Sequence, residues 1–382
     1  MSSERLFDEI DGLYEKYLDV LEDVCNIESP TADKAAVDKV GEYFIALAKE
    51  LGWRVNVYPM EKAGDFVEII MNPEAEGAPI TVSGHLDTVH PKGLFGYPAV
   101  TRDENNMYGP GVVDCKGGVV AAALAMHARM KVGFKDRPVK LLLQTDEETG
   151  SSTSGKETVK LMCALARGSA AFLNLEGKVG ETCSIARKGI VRSRITVYGK
   201  ALHSSRCYEA SNAVLEAAYK IIELEKFKDI DGITCNCGVI SGGTAPNSVA
   251  AECSFTSDIR FFDESELNTV KETLDRVVNT NKVEGCHATI EEISYRPAMP
   301  YKEVNEALLK RMNEIYSERG LPRLRGRRSL SGSDAAYVTE AGIPTIDSIG
   351  TEGGNIHSKS EFMRLESLKE SAKRIAAVIY YL

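Results

Sequence analysis

Hydrophobic residues recur every three or four positions in several long stretches of the chain, with polar residues between them. The first such stretch contains Leu6, Ile10, Leu13, Tyr17, Leu21 and Val24. A period near 3.6 residues predicts an amphipathic helix that buries one face, and Ser29-Pro30 marks its end. Further helices are expected at 34–51, 117–130, 212–224, 267–278, 303–318 and 365–382.

Short apolar runs lie between the helical stretches and predict strands. They occupy residues 54–58, 66–70, 80–83, 139–144, 171–173 and 345–349. Because strands alternate with helices, the fold class is expected to be α/β, with a mixed sheet flanked by helices.

The middle of the chain has a different pattern. A strand at 190–197 is followed by a helix at 212–224, strands at 233–240 and 249–261, a helix at 267–278 and a strand at 288–295. This β-α-β-β-α-β order predicts a ferredoxin-like α+β domain. The expected division is therefore a catalytic domain from 1–187 and 298–382, with residues 188–297 inserted as a second domain.

Composition narrows the function classes. The 382 residues carry a formal charge of −10, which argues against a nucleic-acid surface. No run approaches a membrane span, and no secretory leader is recognisable, so a cytoplasmic location is expected. The nine cysteines lack C-x-x-C spacing and are expected to be reduced. Cys235 and Cys237 alternate on a predicted strand and are expected to pack there.

Polar side chains follow several predicted strands, where ligands of α/β sheets bind. His85 and Asp87 follow the strand at 80–83, and Asp114 precedes an Ala-rich helix. Each has a simple alternative, because His85 could be a surface histidine and Asp114 a helix cap. An imidazole bound to a metal is commonly held by a nearby carboxylate, which Asp87 could supply.

Acidic residues follow two more strands, and a histidine follows a third. Glu147 and Glu148 come after the strand at 139–144, Glu176 after that at 171–173, and His357 after that at 345–349. The acidic run could be a solvated turn, and Glu176 and His357 could each be ordinary surface groups. Taken together, histidines and carboxylates at neighbouring strand ends suit Zn²⁺, and a shared carboxylate would allow two ions.

Across almost the whole chain, these segments resemble the M20 metallopeptidase family. The matching motifs are SGHLDTV, YGPGVVDCKGG, TDEETGS, NLEG, GKALHSS, GGTAPNSV, SGSDAAY and NIHSKSEF. The resemblance implies two Zn²⁺ ions per subunit, with Co²⁺ or Mn²⁺ as alternatives. It implies that Asp114 bridges the ions, that His85 and Glu176 complete one site, and that Glu148 and His357 complete the other.

The resemblance also implies roles beside the metal ligands. Glu147 would be the general base that accepts a proton from the attacking water, and Asp87 would orient His85. In the family, the peptide bond after the bridging aspartate is cis and the next residue is often aspartate. Here that residue is Cys115, and we expect the Asp114–Cys115 bond to be cis nonetheless.

The inserted domain resembles the family's lid and dimerisation domain, which implies a homodimer through residues 188–297. His203 would reach the neighbouring subunit's active site and stabilise the oxyanion, and Asn247 would contact the same oxygen or a substrate carboxylate. Arg260 and Arg296 are candidates for gripping that carboxylate, with a salt bridge inside the domain as the alternative. Gly350 would offer its backbone near the substrate.

Within the family, Glu176 and the motifs TDEETGS and GGTAPNSV favour the glutamate carboxypeptidase branch. The expected reaction is hydrolysis of an amide next to a free carboxylate, with C-terminal glutamate as a candidate product. One alternative is an N-acyl-amino-acid deacylase of the acetylornithine deacetylase or succinyl-diaminopimelate desuccinylase type. Another is an inactive binding scaffold, which the complete ligand set argues against. The expected partners are a small peptide or N-acyl amino acid, with neither nucleic acid nor membrane.

Overall fold

The computed structural model of the protein describes residues 3–382. The helices are α1 Ser3–Asn26, α2 Lys34–Glu50, α3 Lys116–Lys131, α4 Glu157–Ala166, α5 Ala213–Leu224, α6 Glu264–Asn279, α7 Glu303–Glu318, α8 Ala335–Glu340 and α9 Leu365–Tyr381. The strands are β1 Arg54–Tyr58, β2 Phe66–Met71, β3 Ile80–His85, β4 Thr101–Arg102, β5 Asn106–Tyr108, β6 Val139–Gln144, β7 Ala171–Asn174, β8 Thr182–Arg187, β9 Gly189–Tyr198, β10 Thr234–Gly242, β11 Glu252–Phe261, β12 His287–Arg296, β13 Arg325–Ser329, β14 Thr345–Ile346, β15 Gly353–Gly354 and β16 Phe362–Arg364.

The chain forms two compact units. Unit 1 comprises Met1–Ile185, Tyr301–Arg327 and Tyr337–Leu382. Unit 2 comprises Ala186–Pro300 and Arg328–Ala336. The division expected from the sequence placed residues 328–336 in the catalytic domain, whereas the contacts group them with unit 2.

The main sheet of unit 1 is mixed, in the order β1-β2-β6-β3-β7-β14. Strands β6, β3, β7 and β14 run parallel, and β1 and β2 are antiparallel additions at one edge. All residues of β2, β3 and β7 are buried, which explains why these segments are mostly apolar without alternating exposed positions. This confirms the α/β prediction and brings the carboxyl ends of three parallel strands together.

Helices α1, α3 and α9 pack against one another beside this sheet. From Lys116 to Arg129, every residue of α3 is buried, including three that carry polar side chains, Lys116, His127 and Arg129. Lys116 Nζ donates to a backbone carbonyl oxygen of α1 at 3.1 Å. The Tyr17 hydroxyl lies 3.0 Å from His127 Nδ1, and Arg129 Nε donates to Ala376 O at 2.8 Å. Burying polar side chains is tolerated here because each one has a hydrogen-bond partner.

Unit 2 contains the predicted β-α-β-β-α-β arrangement. Its antiparallel sheet has the order β10-β11-β9-β12, and α5 and α6 pack against it. Along β11, buried residues alternate with less buried ones, which is the period-2 pattern of a sheet with one covered face. The ferredoxin-like fold expected for residues 188–297 is therefore confirmed.

Several elements differ from the sequence prediction. The strand expected at 345–349 is only two residues long, and β11 begins at Glu252 instead of residue 249. Helix α4 and the small sheet β15-β16-β5-β4 had no predicted counterpart. Strands of two or three residues contain too few positions to show a period, so pattern alone does not reveal them.

Two global features complete the fold. Within residues 3–382, no helix is both long enough and apolar enough to cross a membrane. All nine cysteines are free thiols, as expected from their spacing.

Candidate metal centre

The candidate ligands in unit 1 converge at one edge of the main sheet. His85 is the last residue of β3, Glu148 follows its parallel neighbour β6, and Glu176 follows β7 on the other side. Asp114 lies just before α3, and His357 lies in the loop between β15 and β16. Five residues from five separate segments are thus brought to the carboxyl ends of parallel strands.

The carboxylate of Asp114 lies between the two histidines. Its Oδ1 is 3.1 Å from His85 Nε2, and its Oδ2 is 3.2 Å from His357 Nε2. On the His357 side, Glu148 Oε2 lies 3.3 Å from the same Nε2. On the His85 side, Glu176 Oε1 lies 3.8 Å from the imidazole. Each oxygen of Asp114 therefore faces one histidine–glutamate pair.

Most of these groups are withdrawn from solvent. His85 is 1% exposed and Asp114 is 8% exposed. His357 is the exception, with a half-exposed side chain and a left-handed backbone at φ 61°. Non-glycine residues seldom adopt this conformation, and they do so most often at functional sites.

The carboxylates and imidazoles of this site shift one another's pKa values. Burial would raise the pKa of Asp114, but hydrogen bonds from His357 and His85 hold it below its usual range. Hydrogen bonds to Asp114 and Glu148 raise the pKa of His357 to about 10. Burial raises the pKa of Glu148 to about 7. Burial would lower the pKa of His85, but Cys115 and the carboxylates around it raise it.

The donor set fits metal ions. Ligand atoms of His85, Asp114 and Glu148 all lie within 4.8 Å of one another, and those of His85, Cys115 and Glu176 form a second such group. Imidazole nitrogens and carboxylate oxygens are the ligands that Zn²⁺ and similar divalent ions accept. The carboxylates of Asp114, Glu148 and Glu176 lie close together. Two divalent cations would compensate their negative charge.

Asp87 is fully buried and holds the turn that carries the acidic pair. Its Oδ1 accepts the Glu147 amide and its Oδ2 accepts the Glu148 amide, both at 3.2 Å, while Thr31 Oγ1 donates to Oδ2 at 2.7 Å. The Asp87 carboxylate lies 3.4 Å from His85 Nδ1, but the shorter contact of 2.9 Å is to the Asp87 carbonyl. Asp87 thus fixes the imidazole through its backbone and the acidic turn through its side chain.

The acidic turn is not a solvated loop. Glu147 begins a short 3-10 helix, Glu147–Thr149, and is 8% exposed. The Glu147 carboxyl group is therefore largely withdrawn from solvent beside the candidate ligands. Likewise, Asp114 does not cap α3, since Cys115 is the N-cap residue and no side chain caps that end.

Glu361 is a residue of this region to which the sequence reasoning gave no role. Its carboxylate is fully buried, and its Oε1 accepts the backbone amides of Val113 and Asp114 at 3.1 Å each. Its Oε2 accepts the Gly111 amide at 3.3 Å and lies 2.8 Å from His90 Nε2. Glu361 therefore holds the segment that presents Asp114. The only signal in the sequence is its position four residues after His357.

The peptide bond between Asp114 and Cys115 is cis, as expected. The Cys115 thiol is buried and donates to Leu175 O at 3.2 Å. The side chain is therefore engaged with the backbone that leads to Glu176.

In unit 2, His203 and Asn247 lie in adjacent segments. His203 pairs with Ser248 in an isolated bridge, and the Ser204 amide donates to Asn247 O at 2.9 Å. His203 Nδ1 accepts the Ser205 amide at 3.3 Å. A neutral ring that accepts at Nδ1 carries its proton on Nε2, so this exposed histidine can donate a hydrogen bond from its outer nitrogen.

The two arginines differ in their surroundings. Arg260 Nε pairs with Asp258 at 2.9 Å, and its Nη1 donates to Leu330 O at 3.2 Å. Arg296 is 8% exposed, and its Nη2 lies 3.8 Å from Asp334 Oδ1. Both side chains thus contact the segment from Leu330 to Asp334, and each takes part in an ion pair inside unit 2.

Gly350 lies in unit 1, where both of its backbone groups are engaged. Its amide donates to Glu176 O at 3.0 Å, and its carbonyl accepts from Ser371 Oγ at 2.7 Å. A Cβ at this position would lie 2.1 Å from Leu175 O, so only glycine permits this approach. Gly350 therefore supports the strand end that carries Glu176.

Comparison with known proteins gives consistent matches. A model of peptidase family M20/M25/M40 matches residues 81–381. Carboxypeptidase G2 of Pseudomonas sp. (strain RS-16) is 26% identical over 366 residues, covering 94% of this chain and 87% of that protein. Acetylornithine deacetylase of Pasteurella multocida (strain Pm70) is 28% identical over 248 residues, covering 59% and 61%.

Solved structures share the fold. Aminopeptidase PepT from Bacillus cereus ATCC 10987 superposes with a TM-score of 0.80 at 17% identity, covering 96% of this chain and 98% of that chain. The Bacillus subtilis YXEP protein, described as a dinuclear metal binding peptidase from the M20 family, has a TM-score of 0.69 at 15% identity, covering 97% and 100%.

Proposed function

The chain belongs to peptidase family M20/M25/M40, and on that premise we propose that it is a two-metal carboxypeptidase. The proposed reaction is hydrolysis of an amide bond whose amine side carries a free α-carboxylate, with C-terminal glutamate as the first candidate product. The observation that carries the proposal is the shared carboxylate of Asp114, with one oxygen toward each histidine–glutamate pair.

His85 and Glu176 would hold one metal ion, Glu148 and His357 the other, and Asp114 both. We propose Zn²⁺ as the ion, because imidazole and carboxylate ligands suit it, with Co²⁺ and Mn²⁺ as alternatives. When bound, such a pair supplies Lewis-acid activation of a carbonyl and of a water molecule. The YXEP protein, described as a dinuclear metal binding peptidase, supports the count of two.

Glu147 would move the proton. Its carboxylate would accept a proton from the attacking water and then deliver it to the nitrogen of the leaving amine. The Asp87 side chain supports this role, because it fixes the Glu147 amide at 3.2 Å and so holds the turn in place. A fixed base is needed because proton transfer requires hydrogen-bond distance to the reacting atom.

His203 would stabilise the developing oxyanion. Its Nε2 carries the proton in a neutral ring, since Nδ1 accepts the Ser205 amide. An N–H aimed at the carbonyl oxygen is the kind of donor that stabilises a tetrahedral intermediate. We propose that it acts from the partner subunit, and that Asn247, whose segment pairs with that of His203, contacts the same oxygen or the substrate carboxylate.

The substrate carboxylate would be bound by arginine. Arg296 and Arg260 both contact the segment from Leu330 to Asp334 in unit 2, which places two guanidinium groups near each other. Guanidinium groups pair with carboxylates through two parallel hydrogen bonds. Each arginine also faces a carboxylate of unit 2, so both remain candidates. Gly350 would contact the substrate through its carbonyl oxygen, which has a second lone pair beside the one that accepts from Ser371 Oγ.

A homodimer through residues 188–297 is part of the proposal. Leu215, Tyr219 and Ile222 form a stripe along α5 with exposed fractions of 45%, 42% and 59%. Positions separated by four and three residues lie on one face of a helix, so the stripe is continuous. An exposed apolar face of this kind is suited to contact with a second copy of the chain.

An N-acyl-amino-acid deacylase is the second candidate. It would use the same ligands and the same base with a different acyl pocket, and the 28% identity to acetylornithine deacetylase favours it. A panel of zinc-loaded hydrolysis assays separates the two. Glutamyl-terminated dipeptides should be cleaved with higher kcat/KM than N-acetyl and N-succinyl amino acids such as N-acetylornithine and N-succinyl-diaminopimelate. The reverse order would replace the carboxypeptidase by the deacylase.

The non-enzymatic alternative is a catalytically inactive binding scaffold that holds no metal. The complete donor set argues against it. Metal analysis of the purified, zinc-loaded and desalted chain distinguishes the two, because the enzyme should retain about two ions per chain. Retention of less than about one ion, together with no hydrolysis in the panel, would favour the scaffold.

A further inference from the structure

A second group of metal-ligating side chains lies in unit 2, among residues that the candidate metal centre does not use. Cys235 and Cys237 are two positions apart on β10, so their side chains share one face of the strand. Their sulfur atoms lie 4.0 Å apart, and both are free thiols. Cys235 is 3% exposed and Cys237 is half-buried, which leaves the pair accessible from one side.

Glu225 completes the group. It directly follows α5, and one of its carboxylate oxygens lies within 4.8 Å of both sulfur atoms, which lie within that distance of each other. Its Oε1 accepts the Cys237 amide at 2.5 Å, so the carboxylate is fixed against the strand. The cluster is therefore held by hydrogen bonds to the backbone in addition to packing.

A positive charge lies beside the thiols. Lys228 forms an ion pair with Glu225, and its Nζ donates to Cys235 O at 2.7 Å. The neighbouring thiol of Cys237, burial and Glu225 raise the pKa of Cys235. Lys228 only partly opposes this rise. Both cysteines are therefore thiols before metal binds, and the ion must displace their protons. Thiolate, and not thiol, is the form that binds metal ions.

The distance between the sulfurs suits a shared ion. Zinc–thiolate bonds are about 2.3 Å long, and in a tetrahedral site two sulfurs bound to one ion lie about 3.8 Å apart. The observed separation is 4.0 Å. A shift of a few tenths of an ångström, within the rotamer freedom of a half-buried cysteine, would bring the pair to that geometry.

We propose that Cys235, Cys237 and Glu225 bind one thiophilic divalent cation, with Zn²⁺ as the first candidate and water as the fourth ligand. Binding replaces two S–H bonds by two metal–sulfur bonds and releases two protons to solvent, while the carboxylate is already ionised. The bound ion would connect the end of α5 to the edge strand β10. The site would therefore stabilise unit 2, independently of catalysis in unit 1.

The test compares metal binding by the full-length wild type with that of Cys235→Ser/Cys237→Ser. Both proteins are kept reduced with a phosphine, titration of the cysteines confirms free thiols, and each is then loaded with Zn²⁺ or Cd²⁺ and desalted. The wild type should retain one more equivalent per chain than the double variant. It should also show ultraviolet charge-transfer absorption from thiolate to Cd²⁺, which the variant lacks.

Cys253→Ser is the matched control, because Cys253 lies on the neighbouring strand β11, is 1% exposed and belongs to the same core. It should keep the additional equivalent and the absorption. Equal metal content and equal absorption in wild type and double variant would overturn the proposal. The difference in metal content between the wild type and the double variant does not depend on whether the centre around Asp114 binds metal, because that centre is the same in both proteins.

If the double variant does not fold, two single variants that change less of the core test the proposal instead. Cys237→Ala changes the half-buried cysteine and should lose the additional equivalent. Glu225→Gln keeps both thiols, so it should keep the Cd²⁺ absorption while binding Zn²⁺ more weakly than the wild type. Unchanged Zn²⁺ content and affinity in both variants would contradict the three-residue site.

Discussion

At the scale of single residues, the buried carboxylate of Glu361 fixes the backbone that presents Asp114. It accepts three amides, from Gly111, Val113 and Asp114, and lies against His90. None of these contacts is to a candidate ligand side chain. The position of Asp114 between two histidines therefore depends on a residue that would not itself touch a metal ion.

Glu361→Gln should weaken metal binding by about 10–100-fold, because groups that position metal ligands commonly contribute this much to affinity. The amide keeps the volume of the side chain, but its NH₂ group cannot accept the backbone amides that the second carboxylate oxygen accepts. Competition titration with a chelator measures the affinity.

Glu366→Gln is the control, since Glu366 is exposed and forms an ion pair with Lys369 at the surface. It should bind metal like the wild type. Unchanged affinity in Glu361→Gln would mean that the Asp114 segment keeps its place without this carboxylate.

The sequence predicted the positions of the candidate ligands but not the position of Glu361. The candidate ligands could be predicted because each follows a strand whose apolar run is visible, and parallel strand ends meet at one edge. Their role as metal ligands stays a prediction. Glu361 could not be identified in this way, because its partners are backbone amides more than two hundred positions away in the chain.

At the scale of elements, the contact between α3 and the end of β7 fixes the spacing of the site. A Cβ on Gly118 would lie 2.1 Å from Leu175 O and 2.9 Å from Leu175 Cβ. Gly12 is the opposite case, since a Cβ there, on an exposed turn of α1, would meet nothing within 4 Å. The two glycines therefore form a matched pair for one substitution.

Gly118→Ala should destabilise unit 1 by about 1–3 kcal/mol, because the added methyl meets backbone that cannot move cheaply. It should also displace Glu176, the residue after Leu175, and so lower metal affinity. Gly12→Ala should stabilise unit 1 by about 0.5–1 kcal/mol through helix propensity. Urea unfolding followed by the fluorescence of Trp53, the single tryptophan, measures both. Equal stability of the two variants would contradict the close helix–strand approach.

The contact between α1 and α3 makes stability depend on pH. Burial, assisted by Lys16 and Lys131, lowers the pKa of His127 from 6.5 to about 4. Between these values the unfolded chain binds a proton that the folded chain does not. The stability contributed by neutral His127 is complete above pH 6.5 and is lost as pH falls toward 4, and the shift corresponds to at most about 3 kcal/mol.

His127→Gln should flatten this dependence, because glutamine does not titrate. Urea unfolding of metal-stripped wild type and variant, followed by Trp53, gives the difference at several pH values. The gap between the two proteins should change across the window from pH 6.5 to 4. A gap that stays constant would show that His127 is not held neutral in the fold.

Elements with enough residues to show a period could be predicted from the sequence. The β-α-β-β-α-β order of unit 2 is an example, since each of its strands and helices spans nine residues or more. The small sheet β15-β16-β5-β4 could not be predicted in this way. Its strands are too short for a pattern, yet it connects the segment after His357 to the segment before Asp114.

At the scale of the whole molecule, the proposed homodimer makes a distinctive prediction for His203. If His203 acts in the partner's active site, His203→Ala and Glu147→Ala are inactive for different reasons and can complement each other. After subunit exchange at equal amounts, half of the dimers are hybrids with one intact site, so activity should recover to about one quarter of the wild type. No recovery, with exchange verified by mass, would contradict action across the dimer.

The domain organisation could be predicted only in part. The change of pattern near residue 188 indicates where the inserted unit begins, because the strand and helix order changes there. Residues 328–336 cannot be assigned in the same way, since they follow α7 in the chain but group with unit 2 by contact. Membership of such a segment depends on long-range packing, which the local pattern does not encode.

The central claim is that a pair of metal ions held around Asp114 works with Glu147 as the proton acceptor. The most direct measurement determines metal content and kcat together for wild type, Glu147→Gln and the exposed control Glu104→Gln, all loaded with zinc. Glu147→Gln should retain about two ions per chain and lose about 10²–10⁴-fold in kcat, while Glu104→Gln matches the wild type. Activity of Glu147→Gln near that of the wild type, or a wild type that retains less than about one ion, would contradict the account.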